Sequence, residues 1–84
     1  MSIPPERREM IHDWANANRR AGKRWLREGH PKRAKRHLLW AAGWYWYLSE
    51  RCPPRTAKRR RFMWLCLGCH LRADQIKEVT THAD

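Results

Sequence analysis

Residues 38–48, Leu-Leu-Trp-Ala-Ala-Gly-Trp-Tyr-Trp-Tyr-Leu, decide the fold of this chain. Two apolar stripes with helical spacing pass through this segment. They are Ala34, Leu38, Ala41, Tyr45 and Leu48, and His37, Trp40, Trp44 and Tyr47. A buried strand would also give an apolar run, but the two stripes and Ala41-Ala42-Gly43 favour a helix. A helix that is apolar nearly all round is buried on more than one side, so this one is predicted to be central.

Proline and glycine residues predict where the helices begin and end. Gly29-His30-Pro31 combines a glycine that ends one helix with a proline that begins the next. Pro4-Pro5-Glu6 has the proline and the acid that are typical of a first helical turn. Cys52-Pro53-Pro54 breaks the chain a second time, and Thr56 is a suitable N-cap for a third helix.

The chain is therefore predicted to be all-α, a three-helix antiparallel arrangement. The predicted helices cover about residues 5–28, 31–51 and 57–79. Eighty-four residues suffice for one small domain, which we place at residues 1–79, with a frayed tail at 80–84. Connections this short make neighbouring helices antiparallel.

Each outer helix has a stripe that is predicted to face the core. On the first helix the stripe is Ile11, Trp14, Ala21 and Trp25, with Asn18 in the remaining place. On the third helix it is Phe62, Cys66, Cys69, Ala73 and Ile76, while Trp64, Leu67 and Leu71 point elsewhere. Both stripes have the three- and four-residue spacing of an amphipathic helix.

Six tryptophans are many for a chain of this length. Trp14, Trp25, Trp40 and Trp44 lie on inward stripes and are expected in the core. Trp46 and Trp64 are harder to bury in three helices, and three roles stay open for them. They would form a homodimer seam, a surface for another protein, or a platform on which bases stack.

The net charge of +11 is concentrated in the middle of the chain. Residues 15–49 contain nine basic residues and one acid, and residues 51–72 contain seven basic residues and no acid. Such a distribution attracts a polyanion, and its self-repulsion costs stability. A solubilising surface is the alternative explanation, and GC-rich coding would also enrich arginine.

Three basic clusters are the candidate nucleic-acid-binding residues. They are Arg19, Arg20, Lys23, Arg24 and Arg27; Lys32, Arg33, Lys35 and Arg36; and Arg55, Lys58, Arg59, Arg60 and Arg61. The first two flank the Gly29–Pro31 turn, and the third lies at the opposite end. Cations at a helix N-terminus oppose the helix dipole at about 0.3–1 kcal/mol each. The second and third clusters therefore suit phosphate binding better than stability.

The segment from Gly22 to Ala41 resembles a tetratricopeptide helical hairpin. Ala21-Gly22 and Trp25 stand where that family has Leu-Gly and Tyr, and Ala34, Leu38 and Ala41 match its second helix. Asn18 replaces the leading Trp, and Trp46 stands where proline is usual. The opening motif recurs as Trp64-x2-Leu67-Gly68-x2-Leu71, 46 residues later instead of 34. The resemblance covers about a third of the chain and implies a protein-binding module.

Cys66-Leu67-Gly68-Cys69-His70 has the Cys-x2-Cys-His spacing of a c-type haem attachment site, and also of part of a zinc site. Cys52 would lie near the start of the third helix, roughly 15 Å from Cys66 by helical rise, too far to complete a zinc site, whereas His37 would come nearer. Free thiols are the expected state, so no metal or cofactor is predicted. Carboxylates are few and there is no glycine-rich phosphate loop, so an enzyme is not expected.

Two functions remain open at this stage. The first is a cytoplasmic, dimeric accessory protein that holds the phosphate backbone of DNA or RNA with low sequence specificity. The second is a phage- or plasmid-type inhibitor or adaptor that docks on an acidic or nucleic-acid-binding surface of a larger complex. Neither involves a membrane, because no run of about 18 apolar residues occurs and the N-terminus has no apolar signal core.

Overall fold

The computed structural model describes the backbone of residues 5–76 and the side chains of residues 7–76. Three helices follow one another: α1 (Pro5–Arg27), α2 (Pro31–Glu50) and α3 (Ala57–Gln75). Within residues 5–76 no strand occurs. The predicted all-α, antiparallel three-helix arrangement is confirmed, with α2 packed against both α1 and α3.

The turn between α1 and α2 has the predicted glycine C-cap. Gly29 has φ +85°, in the left-handed region that side chains other than glycine rarely adopt. This conformation lets the His30 amide donate to the Trp25 carbonyl at 2.9 Å and the Gly29 amide to the Leu26 carbonyl at 3.2 Å. These bonds satisfy carbonyls that the end of α1 would leave without partners.

Thr56 caps α3, as the sequence predicts. Its hydroxyl accepts a hydrogen bond from the Arg59 amide at 3.2 Å and donates one to the Pro53 carbonyl at 2.8 Å. At the other end α3 ends at Gln75, because Ile76 is extended, with ψ 114°. The predicted continuation of the third helix over residues 77–79 and the predicted frayed tail at residues 80–84 lie outside the described residues.

The core forms on both sides of α2. The first predicted α2 stripe, from Ala34 to Leu48, is buried throughout, and so is the α3 stripe from Phe62 to Ile76. The second α2 stripe is not buried: His37, Trp44 and Tyr47 are half-buried and Trp40 is exposed. The predicted α1 stripe is wrong in part, because Trp14 is exposed and the small residues Ala15 and Gly22 are buried beside Ile11.

α1 and α2 are in close contact at Gly22, and this contact leaves little space for large side chains between them. A Cβ atom on Gly22 would stand 2.7 Å from Leu38 Cγ and 3.1 Å from the Ala34 carbonyl oxygen. The two helices approach so closely here that no indole ring fits between them. The prediction that all four tryptophans are core residues is therefore wrong. Trp14 is 46% exposed and Trp40 52% exposed, while Trp25 and Trp44 are half-buried at the edge of the interface.

Because α1 and α3 both run antiparallel to α2, they run parallel to each other. Ile11 and Ala15 of α1 belong to the same buried cluster as Phe62 and Cys66 of α3. The His12 ring meets the Phe62 ring edge-on, with centroids 5.2 Å apart. α3 thus borders α1 on one side and α2 on another, and the side chains exposed along these two borders differ in charge and polarity.

Candidate nucleic-acid interface

The border between α1 and α3 is lined by basic side chains from both helices. Arg19 and Lys23 of α1 and Arg72 of α3 line one cavity of about 180 Å³. Arg20 and Arg27 join Lys23 and Arg72 around an adjoining cavity of about 310 Å³. Cations from two separate helices therefore converge on the same surface.

The same border is also basic at its other end. Arg8 of α1 and Lys58 of α3 line a cavity of about 160 Å³, together with the acid Glu9. Arg61 precedes Arg72 by eleven residues, about three helical turns, so both lie on the same side of α3. From Lys58 to Arg72 the helical rise gives about 21 Å.

We call this surface the basic seam. Its members are Arg8, Arg19, Arg20, Lys23, Arg27, Lys58, Arg61 and Arg72. Arg8 and Arg19 are half-buried, and the other six are exposed. Arg19 is held in place because its guanidinium lies over the buried Tyr45 ring, 5.9 Å from the centroid. The seam is thus a surface with cations along both sides, of which Arg19 is held by a cation–π contact.

The basic side chains of the seam affect the pKa of the Cys69 thiol, which lies beneath them. Burial raises the pKa of this thiol, and Arg19, Lys23 and Arg72 oppose that rise because their positive charges favour the thiolate. Burial also raises the pKa of the Cys66 thiol. Both cysteines are free and buried, so they pack as small apolar side chains beneath the cations.

The first and second clusters meet at the α1–α2 turn, as predicted. The guanidinium carbons of Arg24 and Arg33 lie 5.6 and 5.0 Å from the centroid of the Trp25 ring. The His30 ring meets the same indole edge-on at 5.1 Å. Cation–π contacts therefore order two arginines of different clusters around one aromatic ring while their N–H edges remain able to donate.

Arginine charge also acts on His37, which lies between the first two clusters. Burial lowers the pKa of His37, and Arg36 and Arg24 lower it further. Its Nδ1 lies 3.0 Å from Asn18 Oδ1, and the Asn18 amide donates to the Trp14 carbonyl at 3.0 Å. Asn18 Oδ1 is thus left as an acceptor, which fits a neutral imidazole that donates through Nδ1.

The third cluster is not brought together on one face. Lys58 and Arg61 belong to the basic seam, whereas Arg60 lines the groove between α2 and α3. Arg55 lies in the turn before α3, with a left-handed φ of +64°, and Arg59 is half-buried. The third cluster lies at the N-terminal end of α3. The length of the helix separates much of this cluster from the α1–α2 turn, as predicted.

Two members of the seam, Arg72 and Arg8, were not among the predicted binding residues, because neither belongs to one of the three basic clusters of the sequence. A signal for Arg72 was present, however. Two successive antiparallel connections make α1 and α3 parallel, which puts the C-terminal half of α3 beside the C-terminal half of α1. That relation alone would have placed Arg72 near Arg19 and Lys23.

The two tryptophans that were hard to bury lie on one surface. Trp46 of α2 and Trp64 of α3 both line an apolar groove of about 650 Å³, the α2–α3 groove, together with Met63, Leu67 and His70. Trp46 is 49% exposed and Trp64 is 70% exposed. The structure thus brings these predicted partner residues together. Trp64 lies between two surfaces, because it also lines the cavity of Arg19, Lys23 and Arg72 in the basic seam.

The described residues 7–76 contain no group of three or more His, Cys, Asp or Glu side chains that could hold a metal ion. The possible site of His37 with Cys66, Cys69 and His70 is not assembled, because His37 lies against Asn18 of α1. Among the helices of this part of the chain, none has the length and apolarity needed to cross a bilayer.

No family model, curated protein or solved structure matches the chain. Gly22 has the close helix contact that the tetratricopeptide-like pattern requires, whereas Gly68 of the second motif has open space where a Cβ would stand. Membership of that family stays a prediction. The case for a function therefore depends on the surfaces of the molecule itself.

Proposed function

We propose that this protein binds nucleic acid along the basic seam and holds the phosphate backbone with low sequence specificity. The observation that carries the proposal is the convergence of cations from two parallel helices on one surface. Arg19 and Lys23 approach from α1, and Arg72 approaches from α3. Such a two-sided row presents donors to a chain of phosphates from both flanks.

The dimensions of the seam suit a nucleic-acid strand. Phosphates follow one another at about 3.4 Å of axial rise along one strand of a duplex. A row of about 21 Å therefore covers roughly six phosphates. Arginine predominates in the seam, and its planar fork matches the phosphate oxygens better than a lysine ammonium does.

The charge around the seam supports the same function. The Arg24 and Arg33 pair on Trp25 extends the positive surface from the seam toward the start of α2. Contacts to phosphate position a protein on nucleic acid without distinguishing bases. We therefore propose an accessory role rather than recognition of one sequence. We place this role in the cytoplasm, where a reducing environment would maintain the free buried thiols.

Charge reversal with a matched control tests the proposal. Lys23→Glu with Arg72→Glu changes the charge on both sides of the seam. Arg7→Glu with Arg51→Glu changes the net charge equally at exposed positions outside it. We expect the seam variant to lose at least tenfold in affinity for a short duplex, and the control to lose much less. Equal losses in the two variants would overturn the proposal, because net charge alone would then explain binding.

A further inference from the structure

The outward face of α3 is apolar, although that helix already buries a separate inner stripe. Trp64, Leu67 and Leu71 are 70%, 46% and 53% exposed, and they follow one another at three- and four-residue spacing. A helix at the border of a small domain normally turns a polar face to water. α3 therefore has one apolar face more than the fold of a single copy uses.

The exposed apolar surface is large enough for a stable contact. Leu39, Trp46 and Met63 flank the α3 residues and are 39%, 49% and 42% exposed. With side-chain areas of about 200 Å² each, the six residues expose on the order of 600 Å². That is at the upper limit for monomers. A twofold contact would bury roughly 1,200 Å², which is the lower end of specific interfaces.

The charges at the two ends of this face indicate which partner covers it. Arg60, Trp64, Leu67, Leu71 and Asp74 follow one another at spacings of four, three, four and three residues, as in a coiled-coil seam. Arg60 and Asp74 are exposed, have opposite charges, and each lies seven residues from Leu67. An antiparallel second copy would therefore set Arg60 opposite Asp74 twice, whereas a parallel copy would set like charges together.

We propose that α3 pairs antiparallel with α3 of a second copy about a twofold axis at Leu67. In this register Trp64 of each copy lies opposite His70 of the other, beside the α2–α3 groove. The groove has a volume of about 650 Å³, which leaves room for the indole. The basic seam follows the neighbouring border of α3 with α1. Trp64 also lines the cavity of Arg19, Lys23 and Arg72, so the paired face reaches the edge of the seam while the basic side chains stay outside it.

Sedimentation velocity over a hundredfold range of protein concentration, in high salt and without nucleic acid, tests this pairing. We expect a reversible monomer–dimer equilibrium that salt strengthens, because salt screens the repulsion between two basic copies. Leu67→Glu should weaken the dimer at least a hundredfold, since two carboxylates would meet at the axis. Leu26→Glu, at an exposed position of α1, is the matched control and should leave the dimer intact.

Charge exchange tests the antiparallel register. Arg60→Asp alone should weaken the dimer several-fold, because two ion pairs become two repulsions. Adding Asp74→Arg in the same chain should restore most of the lost affinity. A chain that stays monomeric, a dimer that tolerates Leu67→Glu, or a double variant weaker than the single one would overturn the proposal. Because no nucleic acid is present, these outcomes are independent of the proposed function.

Discussion

Gly22 of α1 and Leu38 of α2 are in such close contact that a methyl group on the glycine would stand 2.7 Å from Leu38 Cγ. Leu38 is fully buried, and the Ala34 carbonyl oxygen, which is backbone, lies 3.1 Å from the same Cβ position. This contact sets the distance between the two helices. The larger Trp14 and Trp40 side chains, in contrast, are 46% and 52% exposed.

Gly22→Ala should destabilise the protein by about 1–3 kcal/mol, because the added methyl would overpack the contact with Leu38 and with the Ala34 carbonyl. Gly68→Ala is the matched control in α3, where a Cβ meets open space. There alanine should add about 0.5–1 kcal/mol of stability through its higher helix propensity. Urea denaturation compares the two variants, and effects of the same sign would contradict the close approach at Gly22.

Tyr45→Phe should lower the free energy of unfolding by about 0.5–1.5 kcal/mol. The Tyr45 ring is fully buried and stacks on Phe62 with centroids 6.5 Å apart, while its hydroxyl donates to Asn16 Oδ1. Phenylalanine keeps the stacking and loses only the hydrogen bond. Tyr47→Phe, at a half-buried ring on the same helix, should have a smaller effect in the same thermal or urea denaturation.

Thr56→Ala should cost about 0.5–2 kcal/mol, because the Arg59 amide would lose its acceptor at the start of α3. Thr56→Ser keeps the hydroxyl and should retain most of the stability. Chemical denaturation followed by circular dichroism measures both changes. A serine variant as unstable as the alanine variant would show that the threonine methyl, rather than the cap, matters.

Acid should destabilise the protein through His37. The pKa of His37 is lower in the folded chain than the ordinary value of 6.5, so the unfolded chain binds more protons between those two values. Stability is therefore complete above about pH 6.5 and falls as the pH drops toward the folded pKa. His37→Gln should flatten this decline in denaturation midpoints measured from pH 7.5 to 5, whereas the exposed His70→Gln should not.

The parts of the fold that sequence patterns predicted are those set by a signal within one helix or one turn. The first stripe of α2, the stripe of α3, the Gly29 turn and the Thr56 cap are of this kind. The α1 stripe was misjudged because Ala15 and Gly22 are buried for their small size. Helical periodicity favours Trp14 over these small residues as a core position. Only the packing of the helices shows that the Trp14 side chain lies outside the core.

The candidate site was predicted in part for a related reason. The clusters on either side of the Gly29 turn are contiguous in the sequence, so their meeting around Trp25 followed from one turn. The basic seam instead joins Arg19 to Arg72, which are far apart in the chain and meet only because α1 and α3 are parallel. Such a surface depends on the packing of all three helices, which no local pattern contains.

The most direct test of the central claim is the fluorescence anisotropy of labelled duplex DNA, single-stranded DNA and RNA, titrated with the protein across a salt series. Each phosphate contact with a duplex contributes about −0.9 to the slope of log affinity against log salt. A seam that covers several phosphates predicts tight binding in low salt and a slope of about −4 to −6. Absence of binding to all three ligands in low salt, or a slope near zero, would contradict the account.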